Sequence, residues 1–278
     1  MRLLVTGAHG QLGLDVVAAF DDHEVVAAGH VDLDLADRDS VMSVVTSVGP
    51  EVIVNCAAWT EVDACESDPD RAFAVNGLGV RHLVDAGEAA GSRICHVSTD
   101  YVFDGEKREP YHEWDIPNPK SVYGASKLAG ENELRPGDTV VRTSWLSGAG
   151  GANMVKTVLR LMGEHAELRF VDDQVGHPSF TPDIASVIHR LVVDRRSGLF
   201  HATNQGAVSW YEFAREVLLA AGEDPERVTA IGTGDMPRPA PRPANSVLEN
   251  RAMRLSGLPL APDFRESLAA LVAELQGT

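Results

Sequence analysis

The chain enters directly on RLLVT (2–6), a short apolar run. It then turns on Gly7, Gly10 and Gly13 before a helical pattern from about Gln11 to Phe20. A buried strand that passes through a G-x-x-G-x-x-G turn into a helix can fold in few ways. The glycines let backbone amides approach an anion closely, and the helix N-terminus adds partial positive charge. Three glycines occur in many ordinary turns. Their place between a buried strand and a helix is what points to a dinucleotide pyrophosphate.

The pattern that follows extends this beginning. EVVAA (24–28), EVIVNCAA (51–58), RICHVS (93–98) and TVVRTSW (139–145) read as further strands. Helical patterns separate them, at 38–48, at 69–91 (ending on Gly91) and at the stretch holding Tyr123 and Lys127. Short apolar strands alternating with helices predict an α/β chain whose parallel sheet is covered on both faces. The second half is less regular. A helix is expected near 152–163, a strand near 167–171, a helix from Thr181 to about Val193, and a strand at 198–203. Ser209 and Glu212 form a capping box before another helix. MPRPAPRPANS (236–246) reads as an extended ordered loop or a linker, and a last helix spans roughly 263–275. The expected plan is a dinucleotide-binding domain over 1–146, to which segments near 180–205 return, and a mainly substrate-binding region over 147–278.

Charge narrows the partners. With 41 acidic and 24 basic residues the formal net charge is −17, which argues against nucleic acid and against anionic membranes. No apolar run is long enough for a transmembrane helix, and the first residues lack a signal-peptide layout, so a cytoplasmic protein is expected. The acidic, lysine-poor surface fits either salt adaptation or plain solubility. The three cysteines, Cys56, Cys65 and Cys95, have no metal-ligand spacing. They read as buried thiols, and no metal site is expected.

Tyr123 and Lys127 stand four apart in SVYGASKLAG (121–130), one turn apart on one helical face. A cation near a phenol favours phenolate and lowers its pKa. Such a pair can manage a proton for carbonyl chemistry. Upstream, RICHVS leads into Thr99, whose hydroxyl could polarise a carbonyl beside the tyrosine.

Thr99, Tyr123 and Lys127 behind a glycine-rich first turn resemble the short-chain dehydrogenase/reductase superfamily, in its extended, sugar-nucleotide branch. VNCAAWTEVDACESDPDRAFAVN (54–76), STDYVFDGE (98–106), VYGASKLAGE (122–131), RTSWLSG (142–148) and RPANSVL (242–248) occur in that order. Together they resemble the dTDP-4-dehydrorhamnose reductase family from the first strand to about residue 265. The resemblance implies a Rossmann-like doubly wound sheet with a smaller C-terminal α/β substrate domain. It also implies NADPH or NADH as cofactor and a nucleotide-sugar as substrate. Tyr123 would deliver a proton to the C4 keto oxygen. Lys127 would lower the tyrosine's pKa and bind the nicotinamide ribose. Thr99 would hydrogen-bond the same carbonyl, Asp100 would touch substrate, and Trp145 would wall the sugar or base. Gly10, Gln11 and Leu12 would line the pyrophosphate, Asp34 and Leu35 the adenine, and Ala57, Ala58 and Trp59 the cofactor beyond the third strand. Gly29-His30 stands where an acid for the ribose hydroxyls is usual, so the choice of dinucleotide stays open. Related dehydratases carry Asp-Glu after the threonine, whereas Asp100-Tyr101 stands here, which suits simple reduction. Related regulatory subunits share much of the pattern. A non-catalytic binding role, another sugar-nucleotide reductase or epimerase, and homodimerisation remain open at this stage.

Overall fold

Strands buried on both faces must alternate which face each side chain serves. In the computed structural model, which describes residues 1–277, they do. In β1 (Arg2–Thr6), Leu3 and Val5 join the core on one face of the sheet while Leu4 joins the core on the other. In β3 (Val52–Asn55), Val52 and Val54 separate from Ile53 in the same way. With β2 (Glu24–Ala28), β4 (Arg93–Thr99) and β5 (Thr139–Thr143) they form one parallel sheet. Four shorter strands follow: β6 (Leu146–Ser147), β7 (Leu168–Val171), β8 (Val175–Gly176) and β9 (Ser179–Phe180). Then β10 (Gly198–His201) completes the sheet in the order β10-β5-β4-β3-β1-β2.

One face is covered by α1 (Gln11–Ala19) and, from far along the chain, α8 (Thr181–Val193), through Leu12, Val16, Ile184, Ile188 and Leu191. The other is covered by α2 (Arg38–Val48) and α5 (Gly79–Ala90), through Val41, Val45, Leu83 and Ala86. A separate core gathers α7 (Met154–Glu164), β7, α9 (Trp210–Ala220), β12 (Val228–Ile231) and α11 (Phe264–Gln276) around Phe170, Phe213 and Phe264. The remaining elements are α3 (Val62–Ser67), α4 (Pro69–Phe73), α6 (Val122–Glu131), β11 (Val208–Ser209) and α10 (Arg251–Leu255).

Two expectations change in detail. The helix expected over 69–91 breaks into α4, a π-helical turn at Ala74–Leu78, and α5, which does end on left-handed Gly91. Asn76 within that turn directs its side chain to Trp59 and Ser126, a use typical of π-turns at functional sites. The proline-rich segment is an ordered strap. Ser246 donates its N–H to Val175 O at 2.8 Å, and Asn245 reaches Lys107 O at 2.8 Å. The capping box at Ser209 and Glu212 forms as expected. Among the described residues no helix is long and apolar enough to cross a membrane.

Candidate active site

The winding of the sheet reverses at β1, which has β2 on one side and β3 on the other. Doubly wound sheets bind ligands at the carboxyl ends beside this switch point. Gly7 and Cys56 lie there, directly after β1 and β3. Gly7 has φ +65°, and a Cβ on it would sit 2.7 Å from the Ala57 backbone. Only glycine lets the two strand ends come this close. Gly13 lies buried in the first turns of α1 behind it.

Two adjoining cavities open at these ends. The first, about 380 Å³, is lined by Gly7, Gly10, Asp34, Leu35, Ala57, Ala58 and Trp59. His9, Gly29, His30 and Arg71 also line it, the Arg71 guanidinium lying 4.5 Å over the Trp59 ring. The second, about 610 Å³, is lined by Gly10, Gln11, Leu12, Thr99, Asp100, Tyr123, Lys127 and Trp145. Gly10, Cys56 and Ala58 line both. Every residue assigned from the sequence to the cofactor, the substrate or the chemistry, except Gly13, thus borders one of these two adjoining cavities.

Some side chains are committed within the fold. Gln11 bonds Leu146 O at 3.0 Å and accepts from Asn153 Nδ2 at 2.7 Å, tying α1 to the segment before α7. The Asp34 carboxylate accepts the Ala36 N–H at 3.0 Å. Others are not. Ser98 Oγ and Thr143 Oγ1 border the second cavity, buried and without a hydrogen-bond partner among the described residues. Orphaned polar atoms around a cavity suit a ligand rich in hydroxyl or carbonyl groups.

Helix α6 carries the tyrosine and lysine. Ser121 caps it, its hydroxyl accepting the Gly124 N–H. A Cβ at Gly124 would lie 2.1 Å from Tyr101 O, so glycine there seats the helix against the segment after β4. Thr99 donates its hydroxyl to Asp100 Oδ1 at 2.9 Å. Burial pushes the Asp100 carboxyl up to about 6, with the Ser246 hydroxyl and then the Thr99 hydroxyl pulling the other way. The Tyr101 ring meets the Tyr123 ring edge-on at 5.6 Å.

The electrostatics depart from the expected pairing. Burial raises the Tyr123 phenol above its ordinary range, and the Thr99 hydroxyl only partly opposes this. Lys127 directs its amine instead to Val97 O, at 2.7 Å, and to His96 Nε2, at 3.3 Å. Burial lowers Lys127 to about 8, with Glu131 and Cys56 pulling upward. The lowering of the phenol by Lys127 therefore does not emerge, because desolvation outweighs a cation turned elsewhere. The phenol keeps its proton at neutral pH, which makes it a donor.

Several bordering residues escaped the sequence reading. Trp210 stacks on Trp145 at 3.4 Å and 7°, doubling the aromatic wall. Trp145 itself sits at φ +46°, an uncommon and strained conformation for a bulky residue. Beyond Tyr101 and Trp210 lies a third cavity of about 330 Å³ that gathers Arg169, Arg238 and Arg242. Arg242 is 3.0 Å from Asp63 Oδ1. Arg238 also approaches Asp63, at 3.9 Å, so three guanidiniums on this cavity face one neighbouring carboxylate. Arg238 and Arg242 lie four apart in the proline-rich strap, and that was the available signal.

Sheet, switch-point cleft and Thr-Tyr-Lys set define the class of short-chain dehydrogenase/reductase folds. A family model described as RmlD substrate binding domain matches residues 1–277, and the chain belongs to that family. It is 41% identical to a dTDP-4-dehydrorhamnose reductase of Streptomyces griseus, over 99% of this chain and 94% of that one. Among solved structures it superposes on a dTDP-4-dehydrorhamnose reductase of Clostridium acetobutylicum with a TM-score of 0.96, at 41% identity over 99% of this chain and 100% of that one. A Bacillus anthracis dTDP-4-dehydrorhamnose reductase, solved in complex with NADP, gives 0.94 at 35% identity over 98% and 99%.

Proposed function

We propose that the chain reduces the C4 keto group of dTDP-4-dehydro-L-rhamnose to an alcohol, giving dTDP-L-rhamnose, with NADPH or NADH. The observation that carries this is the proton-holding phenol of Tyr123 beside Thr99, in a cleft continuous with the glycine-lined cavity. The names of the relatives point the same way. The dinucleotide, when bound, supplies the hydride.

The chain's own residues supply the rest. Gly7, Gly10 and the α1 N-terminus hold the pyrophosphate, with Gln11, Leu12 and Gly13 shaping the turn. Asp34, Leu35, Ala57, Ala58 and Trp59 hold the remainder of the dinucleotide, and Arg71 offers a cation to a ribose phosphate. Thr99 hydrogen-bonds the keto oxygen and Tyr123 delivers its proton to that oxygen. A phenol with a high pKa is the right form for this, because the alkoxide it protonates is more basic still. Lys127 binds the nicotinamide ribose. Asp100, Trp145 and Trp210 bound the sugar. Arg169, Arg238 and Arg242 take the nucleotide diphosphate. On this reading residues 1–146, with the returning segments near 180–205, serve the dinucleotide, and 147–278 mainly serve the substrate.

The test follows NADPH and NADH absorbance with and without dTDP-4-dehydro-L-rhamnose, at low and high salt. Oxidation that requires the sugar is the expected result. Tight dinucleotide binding with no oxidation at any salt would overturn the reading and favour a non-catalytic binding subunit.

A further inference from the structure

Three central strands carry a polar residue where a buried parallel sheet is otherwise apolar. These are Thr6 on β1, Asn55 on β3 and His96 on β4, at 1%, 0% and 0% exposure. They form one chain of hydrogen bonds that ends at the active site. Thr6 donates its hydroxyl to Asn55 Oδ1 at 2.7 Å, and the Ala57 N–H donates to the same oxygen at 3.1 Å. Asn55 Nδ2 lies 2.9 Å from His96 Nδ1. On the far side of the ring, His96 Nε2 lies 3.3 Å from Lys127 Nζ.

The directions of these bonds are determined. A backbone N–H only donates, so the Asn55 oxygen must face Ala57 and its NH₂ must face the imidazole. An amide NH₂ also only donates, so Nδ1 is the bare nitrogen. Burial holds His96 neutral, its pKa well below the ordinary value, so the ring's one proton sits on Nε2, against the lysine. An ammonium has only donors, whereas a neutral amine has a lone pair to accept with.

We propose that His96 is a positioning residue for Lys127: Asn55 fixes the imidazole as its Nε2–H tautomer, which presents the amine with a donor and favours the lysine's neutral form. The other groups near the amine do not cancel this. From the end of β3 comes Cys56, whose thiol burial pushes up to about 12. From α6 itself come Tyr123 and Glu131, and Glu131 is held at 2.9 and 2.6 Å by Arg142 of β5. The sheet core thereby makes Lys127 a proton-labile group and not a fixed charge. Only the catalytic consequence rests on the reductase reading.

The chain has four lysines, so the titration can be followed by NMR with lysine labelled at Cε. Two-bond ¹⁵N correlations of labelled histidine report the tautomer of His96 directly. The wild-type protein should show His96 as Nε2–H, with Lys127 titrating near 8. Asn55→Asp replaces the amide donor with an acceptor. The ring should switch to Nδ1–H, and proton affinity at Lys127 should rise by about tenfold or more. The alkaline limb of kcat/KM should move upward with it. A wild-type Nδ1–H tautomer, or a Lys127 that titrates at the ordinary lysine value of about 10.4, would overturn the proposal. Absence of any turnover would count against the reductase reading alone, because tautomer and titration are read without it.

Discussion

Two buried cations, Lys127 on α6 and Arg142 on the neighbouring β5, are treated in opposite ways. Arg142, 3% exposed, makes paired bonds of 2.9 and 2.6 Å to Glu131 and lies 5.1 Å over the Phe103 ring. Lys127, 2% exposed, has a carbonyl and a neutral imidazole for partners and no carboxylate. The arginine's charge is neutralised on the spot, so it can only hold β5 to α6. The lysine's charge is not, so burial moves its pKa toward the physiological range. A structural cation on β5 and a reactive one on α6 thus lie close together, and the presence of a counter-ion distinguishes them.

Removing the counter-ion from the paired site should have the largest effect on stability. Glu131→Leu leaves Arg142 charged and buried, and should cost about 3–5 kcal/mol by urea denaturation. Lys127→Met should do the reverse. The folded-state pKa of Lys127 lies below its unfolded value, so the native protein pays for a buried charge at pH 7. The substitution should stabilise by roughly 3 kcal/mol there. The advantage should shrink as pH rises from about 8 to above 10, where the wild-type lysine is already neutral in the fold, and sugar-dependent cofactor oxidation should be severely reduced. Asp100→Asn sharpens the comparison with an acid. The Asp100 pKa is raised, to about 6, so the wild type loses stability as pH rises from about 4 through 6. The variant should be more stable at pH 7 by roughly 2 kcal/mol, a gain that vanishes at pH 3. Ser209→Ala, at the N-cap just before Trp210, removes half of a capping box and should lower stability by about 1 kcal/mol by urea denaturation.

Much of this was legible in the chain. Leu3, Leu4 and Val5 alternate between two faces, and such runs between helical patterns can only be a covered parallel sheet. Gly7, Thr99, Tyr123, Lys127 and Trp145 carry motif spacing, and the fold brings them to one cleft. Trp210, Arg169 and the strap that carries Arg238 and Arg242 come from segments far apart in the chain. His96 reads as an ordinary strand residue until Asn55 is seen beside it. The direction of the Tyr123 shift was misjudged because residue spacing conveys how near a cation is. It does not convey how dry the site is or which way the amine turns.

The most direct test of the account is single-turnover hydride transfer from NADPH or NADH to dTDP-4-dehydro-L-rhamnose in the wild type and in Tyr123→Phe. The loss of one phenolic oxygen should slow the step by about 10²–10⁴-fold while dinucleotide and sugar-nucleotide still bind. An unchanged rate in the phenylalanine variant would contradict the assignment of the proton to Tyr123.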